Sequence, residues 1–248
     1  MIEVKDLVFG YSKSYNILNG INLKIDKGEI INILGANGCG KSTLLKLMLG
    51  FYKYRHGSIK IYGRQVNTIS RKELASYLSY VPQSHHAVFP YTVKDVVLMG
   101  KSSSSFWKNY STDDYKAVEE ALEVLKIPHL KDRDYSRLSG GERQLVMVAR
   151  AIVQNSDYCL MDEPVSGLDY GNQFRLLDSI KKYVKKGLTF IITTHHPDHV
   201  KYLGGRAVLM KNGIIYKDGL AENVLDETAI YELYKVKLNE QGHIYAVD

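Results

Sequence analysis

Nine consecutive residues, Gly35-Ala36-Asn37-Gly38-Cys39-Gly40-Lys41-Ser42-Thr43, hold the types and spacing needed to grip a chain of phosphates. Glycines at 35, 38 and 40 remove side chains, so successive backbone N–H groups can converge on an anion. Lys41 adds a charge that reaches β and γ phosphates, and the Ser42 hydroxyl suits Mg²⁺. The loop works only if a strand delivers it and a helix receives it. Glu29 to Leu34 is an apolar run of the right length for a buried parallel strand, and a helix-like run from Thr43 to Leu49, closed by Gly50, follows. The positive end of that helix adds to the anion site.

A phosphate loop alone suits kinases, GTPases and motor ATPases equally, so the class must come from other positions. Tyr158 to Glu163 is an apolar strand ending in two carboxylates. Asp162 could there hold Mg²⁺ and Glu163 orient or deprotonate an attacking water, although a solvated acidic turn has the same appearance. Leu138-Ser139-Gly140-Gly141-Glu142 opens a helix running to about Gln154, with Ser139 as N-cap and two glycines baring the backbone. By the same logic it is a second anion site. His195 and His199 have the i, i+4 spacing of a metal pair, but Pro197 suits the first position of a helix and leaves His195 on a strand end. Cys39 is read as a small residue rather than a chemical participant. Tyr11, one of 19 tyrosines, and Gln83 are ordinary residues when taken alone.

The remaining chain supplies the framework. Residues 2 to 9 and 17 to 25 alternate apolar and polar, which predicts an antiparallel β portion ahead of the loop. A short strand follows over 57 to 63 and another over 78 to 81. From about Ser84 to Arg137 the periodicity becomes helical, with helices over 93 to 99 and 113 to 127, Thr112 capping the second. The serine-rich stretch 101 to 111 reads as a loop. Strands return over 158 to 161 and 188 to 194, separated by a helix over 171 to 186, an alternation that argues for a parallel sheet. Asn212-Gly213 marks a hairpin, and the tail after Leu220 holds one helix and a terminal strand pair.

With 248 residues, 45% hydrophobic and 24% charged, the chain has the composition of a soluble globular protein. Its net charge of +6 is scattered, and the densest cluster, Lys181, Lys182, Lys185 and Lys186, fits a solvated helix face, so no nucleic-acid partner is expected. The two cysteines, Cys39 and Cys159, suit a reducing cytoplasm rather than a disulfide. Neither a leader-like N-terminus nor an apolar run near the ~18 residues of a membrane span is present, so a protein neither secreted nor integral to a membrane is expected.

The phosphate loop, Gln83, Leu138 to Glu142, Asp162-Glu163, Ser166-Gly167-Leu168-Asp169 and His195, in that order, resemble the motif set of ABC-type ATPases over roughly residues 2 to 220. The resemblance implies an α/β fold: a P-loop NTPase core with an N-terminal antiparallel β portion and an inserted helical subdomain. It implies one domain over 1 to 248, with the insertion at 84 to 137 and a C-terminal extension at 220 to 248. ATP and Mg²⁺ are the implied cofactors. Tyr11 would stack on adenine, and Gly35, Asn37, Gly38, Cys39, Gly40, Lys41, Ser42 and Thr43 would bind the nucleotide. Ser139, Gly140, Gly141 and Asp169 would also bind it. Ser42, Gln83 and Asp162 would meet the metal, while Glu163, His195, Gln83 and Lys41 would serve catalysis. The family further implies a head-to-tail homodimer with two ATP molecules, each between one chain's phosphate loop and the other's Ser139 to Gly141. Leu145 stands where the family often has arginine, and Val165 where threonine is usual; both touch fine contacts, not a catalytic role.

Phe89 to Gly100 and Thr193 to His199 are similar to the ATPases of importers for iron chelates, haem and cobalamin. An ATPase subunit powering such an importer is therefore expected, peripheral at the cytoplasmic face of the membrane and bound to permease subunits through Gln83 to Gly100. The alternative is a soluble ABC-type ATPase in cofactor assembly or another non-transport process.

Overall fold

The computed structural model describes residues 1–83, 90–101, 110–238 and 244–246. Phe89 and most of the serine-rich loop lie outside them. Strands β1 (Ile2–Phe9) and β2 (Leu18–Ile25) pair antiparallel, and both alternate buried with exposed positions because one face meets the core. β3 (Ile30–Leu34) is buried at every residue and ends at the phosphate loop, from which α1 (Lys41–Met48) emerges. β4 (His56–Ile61) pairs with β1 and then with the short β5 (Arg64–Gln65), giving the four-stranded order β2-β1-β4-β5. α1 starts at Lys41, two residues earlier than its apolar run suggests, so Lys41 and Ser42 occupy its first turn.

α2 (Arg71–Tyr77), absent from the sequence expectations, is capped by the Ser70 side chain and leads into β6 (Leu78–Val81). α3 (Val93–Leu98) and α4 (Thr112–Val124) both open with capping boxes. The cap of α4 is Ser111, not Thr112, because Asp114 returns the bond: Ser111 N donates to Asp114 Oδ2 at 2.9 Å. α5 (Gly140–Val153) leads to β7 (Tyr158–Asp162), buried throughout, and α6 (Tyr170–Lys185) follows. β8 (Thr189–Thr194), α7 (Pro197–Leu203), β9 (Arg206–Lys211), β10 (Ile214–Leu220), α8 (Ala221–Val224) and α9 (Glu227–Tyr234) come next. β11 (Val236–Leu238) and β12 (Ile244–Ala246) pair antiparallel.

The chain forms two compact units, residues 1–69 with 191–248, and residues 70–190. In the first, β3 pairs parallel with β9, β9 pairs antiparallel with β10, and β8 flanks β3. Leu34, Val200, Leu209, Leu225 and Leu233 join one core there, so the C-terminal helices cover the strands that carry the phosphate loop. Asn32, fully buried in β3, donates its amide to the carbonyls of Gly204 at 2.9 Å and Arg206 at 3.2 Å, which ties β3 to the start of β9. In the second unit β6 and β7 pair parallel, Leu78 opposite Tyr158. Gln154 at the end of α5 donates to the carbonyls of Ala75 at 2.6 Å and Leu78 at 2.9 Å, fixing the helix against the start of β6.

Candidate functional site

The first unit holds the phosphate loop. Gly38 and Gly40 have φ of 80° and 108°, the left-handed conformation that turns successive N–H groups toward one concavity. A side chain at Gly40 would also meet Leu18 Cδ2 at 2.6 Å, so both backbone and space demand glycine. Lys41 is only 4% exposed, and its Nζ donates to the carbonyls of Gly35 at 2.8 Å and Ala36 at 3.1 Å. A cation is thereby held on the concave side of its own loop. Thr43, next along α1, meets the Tyr11 hydroxyl at 3.3 Å between oxygens. The Tyr11 ring is 56% exposed, an open apolar face beside a phosphate-binding loop. Buried cation, bared backbone and exposed ring fit a nucleoside triphosphate. Cys39 is buried, and that burial pushes its thiol up although the Lys41 charge pulls the other way, so it is a packing residue at neutral pH.

His195 follows β8 directly, and the strand end is tied to the loop by Gly35 N donating to Thr194 O at 3.4 Å. Pro197 opens α7 as its spacing predicts. The His195 and His196 rings lie 4.0 Å apart, and those of His196 and His199 4.7 Å. Burial, then the neighbouring His196, lowers the His199 pKa from its usual value, which keeps that imidazole neutral at pH 7. Among the described residues no group of three or more His, Cys, Asp or Glu could cage a metal ion.

The second unit holds the carboxylates. β7 delivers Asp162 at its last residue, 2% exposed. Tyr80 on the neighbouring β6 has its pKa pushed up to about 12 by burial and by the Asp162 charge. A buried carboxylate at a strand end is a hard oxygen donor, the chemistry Mg²⁺ takes. Glu163 is 7% exposed with φ of 47°, a left-handed conformation rare for glutamate. Its Oε2 accepts a hydrogen bond from Gln83 Nε2 at 3.2 Å. That contact is invisible in the sequence, where the two residues stand 80 apart.

Ser139 caps α5 as expected: its hydroxyl accepts from Glu142 N at 3.2 Å while its own N–H donates to Glu142 Oε2 at 2.8 Å. The Ser139 N–H, and after it the Ser139 hydroxyl, hold the Glu142 carboxyl below the usual glutamate range. Gly140 and Gly141 form the first turn, and a side chain at Gly141 would lie 3.1 Å from the Gly167 carbonyl oxygen. The 139–141 and 166–169 segments are thus neighbours. Asp169 caps α6, its Oδ1 accepting from Asn172 N at 2.9 Å. Tyr52, which the sequence reading passed over, stands with its ring 5.3 Å from that of Tyr11; the aromatic run Phe51 to Tyr54 just after Gly50 is the signal for it.

The ABC transporter family model matches residues 18–166. The molybdate import ATP-binding protein MolC of Haemophilus influenzae is 35% identical, over 98% of this chain and 92% of its own length. The hemin import ATP-binding protein HmuV of Hahella chejuensis is 33% identical, over 89% and 87%. An inward-facing structure described as a metal-chelate type ABC transporter superposes with a TM-score of 0.82 at 31% identity, covering 100% of this chain and 97% of that one. The α/β fold with its antiparallel portion is that of an ABC ATPase, and the chain belongs to the ABC transporter family as one of its ATP-binding, ATP-hydrolysing members.

Proposed function

We propose that this chain binds ATP with Mg²⁺ as half of a head-to-tail homodimer and powers a membrane importer. The observation that carries the reading is the glycine-lined loop with the buried Lys41 cation folded over it. Lys41 and the N–H groups of Gly35 to Thr43, Asn37 and Cys39 included, bind the phosphates, while Tyr11 stacks on adenine. Ser42, Asp162 and Gln83 hold Mg²⁺, which when bound neutralises charge building on the phosphate oxygens. Glu163 accepts a proton from the attacking water at its carboxylate, and the Gln83 amide holds that carboxylate in place. His195 donates to the γ phosphate. Ser139, Gly140 and Gly141 of the second copy, with Asp169, close over the nucleotide, so two ATP molecules sit in the dimer.

The permease contact is assigned to the region around Gln83 to Gly100, at the cytoplasmic face of the membrane. Among the described residues no helix is long and apolar enough to cross a membrane. A cargo of the iron-chelate, haem or cobalamin kind is supported by the likeness to the hemin import protein and to the metal-chelate type structure. The likeness to the molybdate import protein adds a metal oxyanion to the candidates.

The test is purification of the tagged protein from detergent-solubilised membranes, with identification of what accompanies it. A many-span permease is expected. Recovery with soluble partners alone would overturn the importer reading in favour of a non-transport ABC-type ATPase.

A further inference from the structure

Resting on the reading of Tyr11 as the adenine platform, we infer that Arg55 and Tyr52 are positioning residues that hold the platform and thereby set affinity for the base. Tyr11 rides on the loop between β1 and β2. That loop is folded tightly: Ile17 N donates to Phe9 O at 2.7 Å, Ser12 and Tyr15 form a bridge, and a side chain at Gly10 would lie 1.9 Å from Tyr15 O. The segment after α1 meets three of its backbone carbonyls, those of Gly10, Ser12 and Lys13. Arg55 donates from Nη1 to Asn16 Oδ1 at 2.8 Å and to Lys13 O at 3.4 Å. From Nη2 it donates to Ser12 O and, at 3.5 Å, to Gly10 O. One planar guanidinium thus spans the loop on both sides of Tyr11, which a lysine's single ammonium cannot do.

The ring is held as well. Phe9 and Tyr52 each meet Tyr11 edge to face, at 5.0 Å and 5.3 Å with interplanar angles of 85° for both. A tyrosine 56% exposed would otherwise sample several rotamers, and each binding event would have to select one. Bonds from an exposed guanidinium add little to global stability, because water competes for every one of them. Their effect is local. Arg55 and Tyr52 belong to the chain that leaves the phosphate-binding helix, so base platform and phosphate loop are joined by a segment of seven residues, 49–55, beyond Met48.

The experiment is calorimetric titration of ATP and, separately, of inorganic triphosphate, each with Mg²⁺. Arg55→Met and Tyr52→Leu are expected to weaken ATP by about two- to tenfold, the scale of immobilising one rotamer-rich side chain at each binding. Inorganic triphosphate, which has no base, keeps its wild-type affinity. Tyr52→Phe retains the wild-type ratio of the two affinities. Arg55→Met combined with Tyr11→Ala binds ATP no worse than Tyr11→Ala alone, since both act through one ring. Equal losses for both ligands would mean a merely structural effect and overturn the proposal. A loss with Tyr11→Ala but none with Arg55→Met or Tyr52→Leu would overturn the positioning role alone. Wild-type ATP affinity in Tyr11→Ala would instead remove the platform reading on which it rests.

Discussion

Gln83 Nε2 and Glu163 Oε2 are joined by a 3.2 Å hydrogen bond, so the residue after the Val81-Pro82 strand end orients the carboxylate placed to take a proton from water. Glu163 is held twice over, by this bond and by its left-handed backbone at φ 47°. Strain of that kind persists where the surroundings over-determine it. Glu163→Gln keeps the shape and removes the base. ATP turnover is expected to fall by about 10² to 10⁴, the usual contribution of a general base, with ATP affinity unchanged. Steady-state phosphate release alongside calorimetric binding measures both; undiminished hydrolysis would remove Glu163 from the role.

Lys41 Nζ donates to the carbonyl oxygens of Gly35 at 2.8 Å and Ala36 at 3.1 Å, neutral acceptors in its own loop. Phosphate oxygens are far better acceptors for an ammonium group, so the exchange favours nucleotide. Lys41→Ala should raise the Kd for ATP by about 10- to 100-fold, the equivalent of one charge-assisted hydrogen bond. Thermal unfolding should change little by comparison. An unaltered Kd would count against the phosphate loop as the binding element.

How far these features could be read beforehand differs by residue. The loop from Gly35 to Thr43 is legible because its chemistry and both flanking elements are contiguous in sequence. So is Ser139, whose cap partner Glu142 lies three residues on, within reach of a helix-start pattern. Helix α2 is not legible because seven residues give no clear apolar period, although Ser70 and Glu73 have the capping spacing. The Ser111 cap was displaced by one position for a related reason: Thr112 and Ser111 both have hydroxyls, and only the return bond from Asp114 decides between them. Gln83 with Glu163, and Arg55 with the loop around Tyr11, are contacts between distant segments. No local period encodes them.

Glu142 makes stability depend on acidity. The N–H and hydroxyl of Ser139 hold its carboxyl below the ordinary value of 4.5, so the folded state binds that proton less readily than the unfolded chain. The contribution is therefore present at neutral pH and is lost as pH falls through the lowered value. Wild type should unfold at a higher temperature than Glu142→Gln at pH 7, and the gap should close in the acid range. Part of the side chain is in water, at 32% exposure, so the gap is small. Melting curves at several pH values measure it; a gap that widened on acidification would contradict the assignment.

The head-to-tail dimer makes a prediction that a self-sufficient site cannot imitate. In Lys41→Ala every phosphate loop is defective, and in Gly141→Asp every signature segment is. Gly141 tolerates no such side chain quietly, since a Cβ there already lies 3.1 Å from Gly167 O. Neither variant alone should turn over ATP. If each site takes its loop from one copy and Ser139 to Gly141 from the other, a mixed dimer pairs the intact loop of one chain with the intact signature of its partner. Its second site carries both defects. Equal mixing with free exchange makes half of the dimers mixed, so about a quarter of all sites should work. Phosphate release from the 1:1 mixture, compared with each variant at the same total concentration, reads that fraction. A mixture no more active than its components, with subunit exchange verified by differently tagged copies, would leave each chain with its own complete site and remove the composite arrangement.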